Sequence, residues 1–286
     1  MLDLMLAPLA AALVILAINA YFGLHIIRRG VIFVDLAFAQ VAALGGTAAL
    51  LMGADPGSPM SYLFTFAATL LGALIFSLTR LEESPVPQEA IIGITYVVAS
   101  AAVILLSGFT AEGAEHIKET LTGSLLWVTW PTVGRIAAAY LVIGLFHFVL
   151  RRRMHDISFH PERVRHIRRW DFIFYFTFGI AITFSVNLAG VLLIFSTLVI
   201  PATIAFLFLS GFGPALLLAW ASGAVAVIAG LLSSFYWDIA TGPVLVCAFG
   251  LILILAAAVR AAFPTGGATR TADRAERIEA MPAMDG

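Results

Sequence analysis

The chain has 286 residues, of which 61% are hydrophobic and 12% are charged, and its formal net charge is -1. Soluble domains carry roughly 25% charged residues, and no soluble fold can bury so much apolar surface. The near-neutral charge also argues against a nucleic-acid partner, which would require a basic surface. The composition therefore predicts an all-α protein that crosses a membrane several times.

Nine apolar stretches are each long enough for a membrane-spanning helix, which needs about 20 residues. The sixth and seventh are the least clearly separated, because Trp170–Leu209 is one apolar run that only Asn187 and Gly190 interrupt. Eight or ten spans are therefore also possible. The nine predicted spans cover residues 4–26, 31–52, 62–78, 89–109, 133–150, 170–187, 190–209, 214–235 and 241–259.

The basic residues predict the orientation of these spans, since lysine and arginine collect in short cytoplasmic loops. With the amino terminus outside, all but two of the 16 basic residues fall on the cytoplasmic side. The two exceptions are Lys118 and Arg135. This distribution favours an odd number of spans and a cytoplasmic carboxyl terminus.

The sequence contains two polar segments, one between predicted spans and one after the last of them. Residues 151–169, RRRMHDISFHPERVRHIRR, form the one long polar cytoplasmic loop of the 1–263 domain. We expect a short helix to begin near Pro161, because proline is accepted at the first helical position. Residues 264–286 contain glycine, proline and mixed charge, and we expect them to form a mobile cytoplasmic tail.

Few residues in the predicted spans are suited to chemistry. Asp35 lies about 7 to 8 Å inside the second span, where a carboxylate is costly and is either functional or paired, here with Arg28, Arg29 or a neighbouring helix. The sequence has no phosphate-binding GxxxxGK[ST] loop and no HExxH or serine-nucleophile motif. The residues therefore predict neither an enzyme nor a cofactor site, and any ATP hydrolysis must come from a partner chain.

Five segments, in order, resemble the permeases of ATP-binding-cassette importers for zinc, manganese and iron. RRGVIFVDLAFAQVAALGG, from Arg28, is similar to the family's RRxxFxGDALSHAxLPG, and QEAIIGITY begins at Gln88. The other three are LTGSLLWVTWPTV from Leu121, GVLLIFSTLVIPATIA from Gly190 and GLLSSFYWDIATGPVLV from Gly230. Their glycine and proline positions make the resemblance specific, because any span supplies leucine and valine by chance.

The resemblance implies a homodimeric, lipid-embedded permease of a bacterial plasma membrane that moves a divalent metal ion. It also implies two partners, a cytoplasmic ABC ATPase that binds the ATP and an extracytoplasmic metal-binding protein. The family's histidine in the second span falls at or beside Gln40, an amide that cannot act as an imidazole ligand. The polar residues that we assign to the translocation path are Asp35, Gln40, Asn19 and Asn187.

In such permeases the cytoplasmic loop carries a short coupling helix that inserts into a groove of the ATPase. The family's aspartate before the loop proline is replaced here by His160. The positive charge of the loop would also satisfy the topology rule without any partner. The residues that the resemblance assigns to coupling are Phe159, His160, Pro161, Glu162, Arg163 and Arg165.

Two other functions are compatible with the sequence. One is a permease for a chelated metal such as a siderophore or haem, which a wide apolar cavity would favour. The other is a carrier driven by an ion gradient, which would keep working after ATP depletion and stop with an uncoupler. The sequence alone does not choose between zinc, manganese and iron.

Overall fold

The computed structural model describes residues 2–55, 58–80, 86–109 and 123–263, and within these ranges it is all-helical. Two short 3-10 turns, Leu125–Trp127 and Pro161–Arg163, lie between helices. The predicted tail, residues 264–286, lies outside the described residues. The helices are α1 (Leu2–Arg29), α2 (Val34–Leu51), α3 (Pro59–Leu78), α4 (Gln88–Ser107), α5 (Trp130–Val149), α6 (Arg151–Phe159), α7 (Ile167–Phe208), α8 (Phe212–Trp237) and α9 (Thr241–Ala262).

Helix α7 has 42 residues and crosses the membrane twice, because it is broken at Gly190, whose φ of 76° and ψ of 159° are not helical. Asp171 near its start pairs with Arg29, and Phe206 near its end lies under the Arg28 guanidinium. On a straight helix Asp171 and Phe206 would lie about 50 Å apart, yet both reach the same end of α1. The chain therefore reverses between residues 167–189 and 191–208, which we name α7a and α7b.

The predicted nine spans are confirmed in the described part of the chain. All the helices named above except α6 are long and apolar enough to cross a membrane, and the two halves of α7 count as two spans. The predicted division of the apolar run at Gly190 is also confirmed. The spans were predictable because the length of an apolar run can be read from neighbouring residues. The division at Gly190 was predictable because glycine is the residue that most readily adopts a positive φ.

The turn of α7 is closed by the segment that precedes α5. Gly123 and Gly190 both have positive φ, and their backbones lie in direct contact. The Ser124 amide donates a hydrogen bond to the Leu188 carbonyl oxygen at 2.9 Å. A Cβ at Gly123 would lie 2.3 Å from the Ala189 carbonyl carbon and 2.4 Å from the Gly190 nitrogen, so no side chain fits there. The polar break around Gly123 and Ser124 in the sequence thus packs onto the end of the α7 hairpin.

We expect Gly190→Ala to lower the stability of the protein by about 1–3 kcal/mol, because its φ of 76° and ψ of 159° lie in a region that essentially only glycine occupies. The check is thermal unfolding of the purified protein in detergent. Gly134→Ala on α5 is the matched control, since nothing lies within 4 Å of the added Cβ and alanine favours a helix. Equal stability of the two variants would contradict the tight turn at Gly190.

One end of the bundle, which we call the arginine end, collects most of the described arginines, while Arg135 lies at the opposite end. Helix α2 packs against α3, α4 and α7, whereas α1 packs against α5, α6, α7 and α8. Helix α7 thus stands between the α2 side of the bundle and the α1 side. The arginines of the arginine end are Arg28, Arg29, Arg80, Arg151, Arg152, Arg153, Arg163, Arg165, Arg168, Arg169 and Arg260.

Candidate translocation path and coupling loop

Asp35 lies in the first turn of α2, at the arginine end, and is only 1% exposed. Neither of its carboxylate oxygens has a side-chain hydrogen-bond partner in the described part of the chain. Arg29, one of the partners that the sequence suggested, pairs with Asp171 instead. A buried carboxylate without a basic partner is costly inside a membrane, which makes Asp35 a candidate functional group.

Glu89, in the first turn of α4, meets the start of α2. Its Oε1 accepts a hydrogen bond from the Phe33 amide at 3.0 Å, two residues before Asp35. Carboxylate oxygens are the ligands preferred by hard divalent cations. The described residues contain no group of three or more His, Cys, Asp or Glu side chains able to hold a metal ion. Asp35 and Glu89 therefore supply only part of a ligand set.

The other three residues assigned to the path are not gathered around Asp35. Gln40 is buried on α2, about 7 to 8 Å deeper and on a different face of the helix. Asn19 is buried where α1 meets α7b, and its Nδ2 donates to Thr197 Oγ1 at 2.9 Å. Asn187 is exposed at the opposite end of the bundle, one turn before α7 reverses. The four residues are thus spread across the depth of the membrane.

The polar loop of residues 151–169 contains one α-helix and one short 3-10 helix. A short helix does begin at Pro161, as predicted, but it is a 3-10 helix of three residues, and α6 at Arg151–Phe159 precedes it. His160 has φ −142° and ψ 56°, outside the helical region. The residue before a proline is disfavoured in helical geometry, and this ends α6 at that point.

The second half of the loop is exposed, as are the arginines at its start. The side chain of Glu162 is 65% exposed, and Arg163 and Arg165 are also exposed. His160 and Pro161 are half-buried beside them. These side chains are therefore accessible to a partner at the arginine end.

Phe159, also assigned to coupling, points inward instead. Its ring stacks on His155 with 4.4 Å between ring centroids, and the Arg28 guanidinium lies 5.3 Å from its centroid. It also meets Phe212, the first residue of α8, edge to face at 5.7 Å. Phe159 therefore packs the loop against α1 and α8 instead of facing a partner.

A buried ion cluster holds the same loop to three spans. Asp171 is completely buried, and Arg29 Nη1 lies 2.9 Å from its Oδ1. Arg80 Nη1 donates to both carboxylate oxygens, at 2.8 and 2.9 Å. Arg29 Nε also donates to Ser158 Oγ at 2.9 Å, and Arg80 Nη1 to the Ile157 carbonyl at 3.3 Å. We call these five residues the Asp171 cluster.

The Asp171 cluster was not predicted from the sequence. Arg29 entered as a basic residue and as a possible partner of Asp35, Arg80 entered only as a basic residue, and Asp171 was assigned no role. A usable signal was present, because an acidic residue at a span end beside arginines at two other span ends can be buried only if it is paired. What the sequence does not contain is the packing that brings these three residues together.

A cavity of about 940 Å³ lies between α5 and α8, with α1 as its floor and α6 at the arginine end. We call it the lateral groove. Its walls are mostly apolar, as at Val14, Ile18, Leu145 and Leu216. Helix α7 and α1 separate it from α2 and Asp35.

Comparison with known proteins assigns the family. Residues 1–260 match the model of the ABC 3 transport family. The chain belongs to the ABC 3 transport family. This confirms the resemblance carried by the five sequence segments and makes the chain a multi-pass permease subunit of an ABC transporter.

Individual proteins similar to this ABC 3 transport protein agree with that assignment. The manganese transport system membrane protein MntC of Halalkalibacterium halodurans is 24% identical, over 87% of this chain and 84% of its own. The chelated iron transport system membrane protein YfeC of Yersinia pestis is 22% identical, over 83% of this chain and 80% of its own. In structure, PsaBC from Streptococcus pneumoniae in complex with Fab has a similar fold, with a TM-score of 0.71 at 20% identity, covering 88% of this chain and 90% of that one.

Proposed function

We propose that this permease carries a divalent metal ion, manganese or iron before zinc, across a bacterial plasma membrane. The observation behind the proposal is the pair of carboxylates, Asp35 and Glu89, at the start of α2. Hard oxygen ligands suit Mn²⁺ and Fe²⁺ better than Zn²⁺, which is more often held by nitrogen and sulfur. Relatives of the chain are named for manganese and for chelated iron transport.

The incomplete ligand set supports a homodimer with the path near the subunit interface. One chain contributes two carboxylates at this point, and a symmetric second copy would contribute two more. A metal held by ligands from both copies would be released when the copies move apart. This suits a transporter, which must bind its ion weakly enough to let it leave.

The energy for transport would come from a separate ABC ATPase at the arginine end, which the positive-inside rule places in the cytoplasm. Glu162, Arg163 and Arg165 would form the contact with it. The Asp171 cluster then gives a direct physical route from the loop to α1, α3 and α7. An extracytoplasmic metal-binding protein would meet the opposite end, where the amino terminus also lies.

A chelated metal is the second candidate, because the lateral groove is wide and apolar. Its position argues against this use. The groove lies on the α1 side of α7, away from the carboxylates on α2 and α4. We therefore favour a bare ion on the α2 side of the bundle.

The test is uptake into proteoliposomes that contain the permease and its ATPase, with the binding protein supplied outside. We expect uptake of Mn²⁺ or Fe²⁺ to require ATP on the side of the membrane where the ATPase is bound. Uptake should persist when an uncoupler is added. Zn²⁺ and an iron chelate are run in parallel. Uptake by the permease alone, driven by a proton or sodium gradient, would overturn the proposal in favour of a secondary carrier.

We expect Glu162→Arg to weaken association with the ATPase by about tenfold or more while leaving membrane insertion intact, because the side chain is exposed. Like charges placed across an interface oppose association. The measurement is co-purification of the ATPase with the tagged permease. Arg135→Glu, a charge reversal on the exposed surface of the opposite end, is the control and should not change co-purification. An unchanged yield with Glu162→Arg would remove this residue from the contact.

A further inference from the structure

The lateral groove has the length of one leaflet of a bilayer. It runs along α5 from Ala137 to Phe148 and along α1 from Val14 to His25, about 16 Å at the helical rise in each case. Half of the hydrocarbon core is about 15 Å thick. The groove therefore extends from the membrane surface at the arginine end to the middle of the bilayer or slightly beyond it.

The middle of the groove offers an occupant few polar contacts. The Trp220 indole N–H is already bonded to the Ala17 carbonyl at 3.0 Å, and Tyr21 Oη pairs with His147 Nδ1 at 3.1 Å. His147 Nε2 is in turn bonded to Thr177 at 2.8 Å. With these groups satisfied among themselves, the walls suit a hydrocarbon chain rather than a polar ligand.

The end of the groove at the membrane surface is basic. Arg151 and Arg152 line it and are exposed, and Arg153 lines an adjoining cavity of about 410 Å³ with them. Asp156 is the acidic residue lining the groove, and the three arginines outweigh it. His25, four residues before Arg29, lies near this end, and its Nε2 is buried without a partner in the described chain.

We propose that an anionic phospholipid occupies the lateral groove, with its phosphate on Arg151 and Arg152 and an acyl chain between α5 and α8. Basic pockets between membrane-spanning helices on the cytoplasmic side are a known way of holding such headgroups. Because α6 forms the end wall, the headgroup would rest against the same loop that carries the coupling residues. This inference does not depend on which solute the permease carries.

The experiment measures lipid bound to the purified full-length chain by native mass spectrometry, with phosphatidylglycerol and phosphatidylcholine added separately. We expect wild type to retain phosphatidylglycerol in preference to phosphatidylcholine. Arg151→Gln combined with Arg152→Gln should weaken phosphatidylglycerol binding by about 30-fold, the effect of two arginines beside an anionic headgroup. Arg168→Gln combined with Arg169→Gln, the same charge change on exposed residues at the same end, is the control and should change it little.

A second pair of variants tests the acyl-chain site without altering charge. Gly144 lines the groove, and nothing lies within 4 Å of a Cβ placed there, so Gly144→Leu should fill the groove without strain. Gly134→Leu, at an equally open position of α5 outside the groove, is its control. We expect at least a tenfold loss of bound phosphatidylglycerol for Gly144→Leu and none for Gly134→Leu, with unfolding temperatures of both near that of wild type.

Three results would overturn the proposal. The first is phosphatidylglycerol binding that is unchanged by the double arginine variant. The second is equal retention of phosphatidylcholine and phosphatidylglycerol by wild type, which would leave an apolar slot without headgroup recognition. The third is photo-crosslinking from position 145 to a polypeptide instead of lipid, which would assign the groove to a membrane-spanning segment of another protein or of a second copy.

Discussion

Asp171→Ala is expected to destabilise the permease by about 3–5 kcal/mol, the cost of leaving buried charges without their partner. Arg29 would suffer most, because its side chain is only 2% exposed, whereas Arg80 is 18% exposed and can turn toward water. The loss should be visible as a large fall in unfolding temperature of the purified protein. The loop should loosen as well, since Arg29 and Arg80 also hold Ser158 and Ile157.

The matched control is Asp156→Ala, which removes an aspartate from the same end of the bundle. Its side chain is 35% exposed, and its ion pair with His155 spans 4.0 Å. A partly exposed pair of this kind contributes at most about 1 kcal/mol. Losses of the same size at Asp171 and Asp156 would contradict the assignment of a buried, structural ion cluster.

A rescue variant separates lost charge balance from lost packing. Replacing Asp171 with leucine and Arg29 with methionine removes both members of the buried pair and leaves Arg80 free to reach the surface. Exchange of a buried ion pair for apolar residues of similar volume is often neutral. We therefore expect the double variant to be more stable than Asp171→Ala alone.

The spans were predictable from the sequence, whereas the Asp171 cluster was not, and the reason is the range of the interactions. A span is a run of about 20 neighbouring apolar residues, so a local window is enough to find it. The Arg29–Asp171 bond joins residues 142 positions apart, and only the packing of α1 against α7 decides that they meet. In the loop, the short helix at Pro161 was predictable because proline suits the first helical position. The preceding helix α6 was not predicted, and it ends at Phe159 because the residue before a proline is disfavoured in helical geometry.

In the candidate path, too, local features were predictable from the sequence and contacts between distant residues were not. Asp35 stood out in the sequence because a carboxylate inside a span is rare and costly. The approach of Glu89 could not be foreseen, since it depends on α4 lying beside α2. Asn19 and Asn187 were selected only for being polar residues in apolar runs. The bundle satisfies the amide nitrogen of Asn19 with Thr197 and leaves Asn187 exposed at the other end.

Asp35→Asn is expected to reduce metal uptake by at least about tenfold while the amount of protein in the membrane stays the same. Loss of groups that shape a metal site typically costs about 10- to 100-fold in affinity or activity. The substitution keeps the size of the side chain, so packing around α2 should survive. Asp35→Ala should lower uptake at least as much. The measurement is uptake per permease molecule in the proteoliposomes that contain the ATPase.

Asp238→Asn is the matched control, because it is the same substitution at an exposed position on the opposite end. Asparagine tolerates the left-handed backbone there, where φ is 51°. Glu89→Gln tests whether the charge of the second carboxylate matters apart from its structural role. The glutamine amide oxygen can still accept the hydrogen bond from the Phe33 amide, so the start of α2 stays fixed while one negative charge is lost. An uptake defect in Glu89→Gln with normal stability would place both carboxylates on the path of the ion. Equal falls in uptake and protein level for Asp35→Asn would instead give Asp35 a purely structural role, because a residue needed only for folding removes transport and protein together.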